Sequence, residues 1–203
     1  MRPTGRQSGF SMVEALVSLT VLSLAMTGLF SLLVHNSQLN KSEQMKAETQ
    51  ANARNLLSIV VVKLRSAGWD PLGSNLFDGL TLDTNTGDNI AEITVRADYH
   101  TAGTPGTPDG LADQIDEVIV FRHTNDMMLW DRDDDGTFEV LAVNISNDAD
   151  GDGTIENMFV PDSTTDPQQI TVQITAQSPV IDPVTRDFTR YTISSDVYIR
   201  KDL

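Results

Sequence analysis

Hydrophobic positions divide the chain sharply. From Phe10 to Val34 it runs FSMVEALVSLTVLSLAMTGLFSLLV, 25 residues with a single charge, Glu14. A helix of that length crosses a hydrocarbon core of about 30 Å. Residues 35–67 are polar, free of Gly and Pro, and place Ala53, Leu57, Val60 and Leu64 at helical spacing, which predicts that the same helix continues with one apolar face. Arg65, Gly68 and Pro71 supply a basic last turn, a C′ glycine and a stop, so the helix should end near Ala67. Running from Phe10 to Ala67 it would reach about 87 Å. After Gly68 the pattern shifts to short β-branched runs between turn residues, with strands expected at 90–97, 115–123, 127–131, 138–145, 168–177 and 188–200. Alternation at Ile93 and Val95, at Val172 and Ile174, and at Ile193, Val197 and Ile199 predicts one buried face of an antiparallel sheet, packed on Leu57, Val60 and Leu64. The fold class is α+β. Loops are expected at 98–113 and 131–166.

Charge and composition narrow the function. The 203 residues carry a formal net charge of −15, which repels nucleic-acid backbones. The chain has no cysteine, hence no disulfide, thiolate zinc site or cysteine nucleophile. His35, His100 and His123 are scattered, and no HExxH, GxSxG or GxxxxGK[ST] pattern occurs, so the sequence does not read as an enzyme. Trp69 and Trp130 read as packing anchors, and His123, within a strand pattern, reads as structural.

The amino-terminal residues carry the most specific signal. A basic leader, residues 1–9 with Arg2 and Arg6 and no acid, precedes the apolar run and places the amino terminus in the cytoplasm. Glu14 is an ionisable residue inside an apolar segment, a position that usually marks function. A cut after Gly9 would create an ammonium at Phe10 with which a neighbouring chain's Glu14 could pair. Gly9-Phe10-Ser11-Met12-Val13-Glu14 before an uninterrupted apolar stretch resembles the class III signal of type IV prepilins and type II secretion pseudopilins. The resemblance implies cleavage after Gly9 by a prepilin peptidase, methylation of Phe10 and an assembly role for Glu14. It also implies a pilin-like fold, other pilin subunits as partners, and passage from the inner membrane to a surface fibre. Arg65 to Pro71, Leu141 to Ile145 and Ser195 to Arg200 together resemble the PilW-type minor pilins, so the expected function is a minor pilin that primes or tips a pilus. The alternatives are a secretion pseudopilin and an anchored calcium-binding or adhesive domain that never polymerises.

One repeat lies outside that resemblance. DRDDDGTFE at 131–139 recurs as DADGDGTIE at 148–156, offset by 17 residues. Asp131, Asp133, Asp135 and Glu139, and likewise Asp148, Asp150, Asp152 and Glu156, could wrap a hard cation such as calcium. Neither copy is an EF-hand loop, since the twelfth positions are Ala142 and Phe159. The other reading is a pair of polar turns with Asx geometry and glycine at positive φ.

Overall fold

The computed structural model describes residues 11–83, 91–100, 107–163 and 167–199. Helix α1 spans Met12–Leu64, 53 residues without a break. Its apolar half keeps every backbone group inside the helix, and the hydroxyls of Ser18, Thr20, Ser23 and Thr27 donate to carbonyls three or four residues back. Burial begins at Ser42 and continues through Thr49, Ala53, Leu56, Leu57, Val60, Val61 and Leu64 as one stripe. The helix stops three residues earlier than the sequence suggests. After Arg65 N–H bonds the Val61 carbonyl, Ser66 and Ala67 bond three residues back, and Gly68 turns out at φ 74°. Gly79 lies against this turn so closely that a Cβ there would collide with the Gly68 backbone.

Strands β1 (Leu80–Asp83), β2 (Ala91–Arg96), β3 (Val118–Thr124), β4 (Met127–Asp131) and β5 (Glu139–Val143) form an antiparallel meander in chain order. Asn125 and Asp126, at φ 49° and 58°, make the tight β3–β4 turn. Strands β6 (Phe159–Pro161), β7 (Gln169–Ile181) and β8 (Phe188–Tyr198) form a second antiparallel sheet. Two sheets therefore stand where the alternation suggested one. They join where Ile145 bridges Ala176 and where Asn147 exchanges hydrogen bonds with the Thr175 backbone. Strands β1 and β6 are too short to show a period. Strand β7 runs past the expected end at 177 through an irregular step around Pro179. Helix α1 packs on β7 and β8, and the core joins Leu56, Val60 and Leu64 to Ile93, Phe121, Met128, Ile170, Ile174 and Val197. His123 is buried and structural, with Nε2 at 2.6 Å from the Ile145 carbonyl. Trp130 packs against the core, and Trp69 is 38% exposed, its carbonyl accepting the Asp98 N–H.

Candidate functional site

Two places carry chemistry: the uncovered half of α1 and the acidic repeats. Gly9 and Phe10 lie outside the described residues. Glu14 sits in the first turn of α1, where a carboxylate complements the helix dipole. From Met12 to Val34 the large apolar side chains are more than half exposed, with Met12 at 85% and Leu24 at 70%. This stretch has a mean hydropathy of 2.1 over its most apolar window, and none of that window is covered by the rest of the chain. It is apolar and long enough to cross a membrane.

The acidic repeats share one backbone shape. Asp134 and Gly136 in the first copy take φ 55° and 86°, and the equivalent Gly151 and Gly153 take 81° and 87°. In both, the leading aspartate accepts the N–H of the glycine at the sixth position, Asp131 from Gly136 at 2.8 Å and Asp148 from Gly153 at 3.2 Å. Asp135 and Asp152 each accept the following threonine N–H at 2.7 Å. The sequence repeat is thus a repeated turn, with Asx bonding and glycine at positive φ.

The carboxylates converge differently in the two copies. Oxygens of Asp131, Asp133 and Asp135 lie within 4.8 Å of one another in the first, and those of Asp148, Asp150 and Glu156 in the second. Glu139 is instead in β5, opposite Trp130, and Asp152 is turned to Thr154. Glu156 belongs to its cluster because the backbone closes there: its N–H bonds the Asn147 carbonyl, and its carboxylate accepts Ala149 N–H at 2.9 Å. Burial pushes the Asp131 carboxyl up, but the N–H groups of Asp133 and Gly136 outweigh it and hold the pKa below the ordinary value. Asp133 is pushed up by desolvation, by its hydrogen bond with Asp131 and by the charges of Asp135 and Asp131. Crowded carboxylates of this kind are what a hard cation relieves.

The fold also brings bases that the linear pattern hides. Arg96 reaches Asp134 at 3.8 Å, and Arg190 fills the space beside Gly151, where a Cβ would meet its guanidinium at 2.8 Å. Arg132, the one base between Asp131 and Glu156, turns away to a two-pronged pair with Asp116 at 2.9 Å and 2.9 Å.

Sequence reasoning missed two buried carboxylates that shape the 98–117 loop. Glu117, 1% exposed, accepts Tyr99 and His100 N–H on one oxygen and Asp113 and Gln114 N–H on the other. Asp98, fully buried, accepts Asp109 and Gly110 N–H. Nothing in their local pattern distinguishes them from solvated acids.

No curated protein and no solved structure matches the chain. Residues 4–30 match the family described as the prokaryotic N-terminal methylation motif. That motif, on an apolar helix joined to an antiparallel β domain, supports a type IV pilin or pseudopilin.

Proposed function

We propose that the chain is a minor type IV pilin of the PilW type, cleaved after Gly9, methylated at Phe10 and built into a fibre through α1, where it primes or tips the assembly. The observation that carries this reading is the division of α1. An exposed apolar half bearing Glu14 continues without a break into a half that is buried from Ser42 onward under the domain. A soluble domain has no use for the first half, whereas a bilayer or a bundle of identical helices covers it. Before assembly the helix spans the inner membrane with its amino terminus in the cytoplasm. Its partners are the prepilin peptidase and other pilin subunits, and no catalysis is assigned to it. Intact mass with and without a prepilin peptidase tests the processing step. Loss of residues 1–9 with one added methyl group is expected, and an unchanged mass would sink the reading. In cells, Glu14→Ala should leave processing intact and deplete the chain from sheared fibres. A secretion pseudopilin would instead show its defect in export of secreted proteins.

The convergence of three carboxylates in each acidic turn favours a second, compatible role: the turns hold a hard divalent cation of the calcium class. A ligand that binds only the folded chain at a hundred times its Kd stabilises it by about 2.7 kcal/mol. Melting should therefore rise in millimolar calcium and fall back with chelator, and Asp131→Asn with Asp148→Asn should abolish the difference. Equal melting of the parent chain in calcium and chelator would refute the role.

A further inference from the structure

The β7–β8 hairpin runs along α1 toward the apolar half. Gln50 Nε2 donates to Tyr191 Oη at 3.2 Å, and further along Ser42 Oγ donates to Asp182 Oδ2 at 2.5 Å. Between these two contacts the helix descends about 12 Å. Asp182 also accepts the N–H groups of Val184 and Thr185, which fixes the turn that follows. From Ser42 to Val34, where the apolar stretch ends, is again about 12 Å, and the headgroup layer of one leaflet occupies about 5–8 Å of it. Gln38, one helical turn nearer the membrane than Ser42, is already half-covered. The turn after Asp182 thus lies within reach of lipid headgroups.

Its composition suits that place. Val180 is 57% exposed, Ile181 56% and Val184 43%, and Leu39 on the adjacent helix is 38% exposed. Exposed bases here are Lys41, Lys46 and Arg186, against exposed Glu43, Glu48 and Asp187, and Asp182 is fully buried and hydrogen-bonded. In a chain of net charge −15 this end is locally balanced, so lipid phosphates repel it less than they repel the rest of the domain.

We propose that the β7–β8 turn is a membrane-surface contact, with Val180, Ile181 and Val184 seated among the headgroups of an anionic leaflet and Lys41 and Arg186 against lipid phosphates. The proposal rests on α1 spanning the bilayer. The Ser42–Asp182 bond ties the turn to a helix already committed to the membrane, so the contact is effectively intramolecular, which favours lipid over a second copy arriving from solution. The contact holds the domain upright on the leaflet while the subunit is stored, and it breaks when the helix leaves the bilayer.

The chain has no cysteine, so single labels are simple to place. Full-length Val184→Cys and, as control, Ser194→Cys on the exposed side of β8 are labelled with an environment-sensitive dye and inserted into nanodiscs with or without phosphatidylglycerol. Iodide in solution should quench the dye at 184 several-fold less than the dye at 194 in the anionic discs, and headgroup-labelled lipid should quench it more. Lys41→Gln with Arg186→Gln should remove most of that difference. Equal iodide quenching at the two sites would overturn the proposal. Shielding in detergent that grows with protein concentration would overturn it in favour of a second copy. A chain that fails to elute with the discs would refute the anchoring reading and the contact with it.

Discussion

Glu117→Gln isolates what one buried carboxylate does for a domain without disulfides. Glu117 Oε1 accepts Tyr99 N–H at 2.6 Å and His100 N–H at 2.5 Å, while Oε2 accepts Asp113 and Gln114 N–H at 3.2 and 3.1 Å. The two oxygens therefore close both ends of the loop onto the start of β3. Glutamine keeps one acceptor and turns an NH2 toward the other pair of donors. Hydrogen bonds to a charged group contribute about 1.5–3 kcal/mol each and neutral ones about 0.5–1.5, so neutralising the retained pair costs about 2 kcal/mol. Leaving two half-buried N–H groups unpaired costs about 1 kcal/mol each at the low end of that penalty. The total, about 4 kcal/mol, corresponds to a melting drop of roughly 8–16 °C for a chain of this size. Thermal melting by circular dichroism in detergent reads the drop directly, and limited proteolysis should cut within 98–117 before any other segment. A variant that melts within 1 °C of the parent would refute the reasoning, because it would mean that solvent already satisfies these donors.

Two further substitutions test the seam and the clamp. Burial pushes the His123 imidazole down, against the opposing pull of the Ile145 carbonyl and the Asp126 charge. The unfolded chain therefore takes up a proton near pH 6.5 that the folded chain refuses, and stability falls with pH below about 6.5 by up to about 1.4 kcal/mol per unit. His123→Gln keeps a donor for Ile145 and should flatten the melting profile between pH 6.5 and 5; an unchanged slope would assign the loss to other groups. Ser42→Ala removes the hydroxyl donor to Asp182 and should lower melting by roughly 3–6 °C, with faster amide exchange in 179–187 than in the core strands. Uniform exchange across β7 and β8 would show that the clamp does not hold the turn.

The sequence made the long helix and its two halves legible because both periods are strong: an unbroken apolar run, then a stripe at Ala53, Leu57, Val60 and Leu64. The longer strands were legible by alternation, as in β7, where Ile170, Val172 and Ile174 are buried and Gln169, Thr171 and Gln173 are half-exposed. The division into two sheets was not, since alternation marks strands but not their partners, and the seam between the sheets is held by a bridge at Ile145 and the Asn147 side chain, neither of which has a pattern. Six of the eight expected ligand carboxylates come together; the strand expected at 138–145 already held Glu139, but nothing in the repeat showed that its counterpart Glu156 would close a loop instead. Nor could it show Arg96 and Arg190 beside the acidic turns, because each contact joins segments far apart in the sequence that only the folded sheets bring together.

The acid excess itself has a structural explanation. Glu117 and Asp98 close one loop, Asp131 and Asp148 shape the repeated turns, and Asp182 fastens a hairpin to the helix, each by accepting backbone N–H groups. Carboxylates here do the loop-closing work that disulfides do in many small domains, and for those with a lowered pKa protonation undoes it. Arg132 holds the Asp116 carboxyl below its ordinary value, Thr154 does so for Asp152, the Gln169 N–H for Asp162 and the Ser42 hydroxyl for Asp182. A carboxyl with a lowered folded pKa contributes stability that is fully present above its unfolded pKa, about 3.9, and lost as pH falls through the folded value. The domain should therefore keep this part of its stability to about pH 4 and lose it below, with turns 148–156 and 182–187 opening before β2, β3 and β7. Amide exchange measured from pH 6 to 3, after correction for the intrinsic rate, reads that order. Strands opening together with the turns would show that the acids are only surface charge.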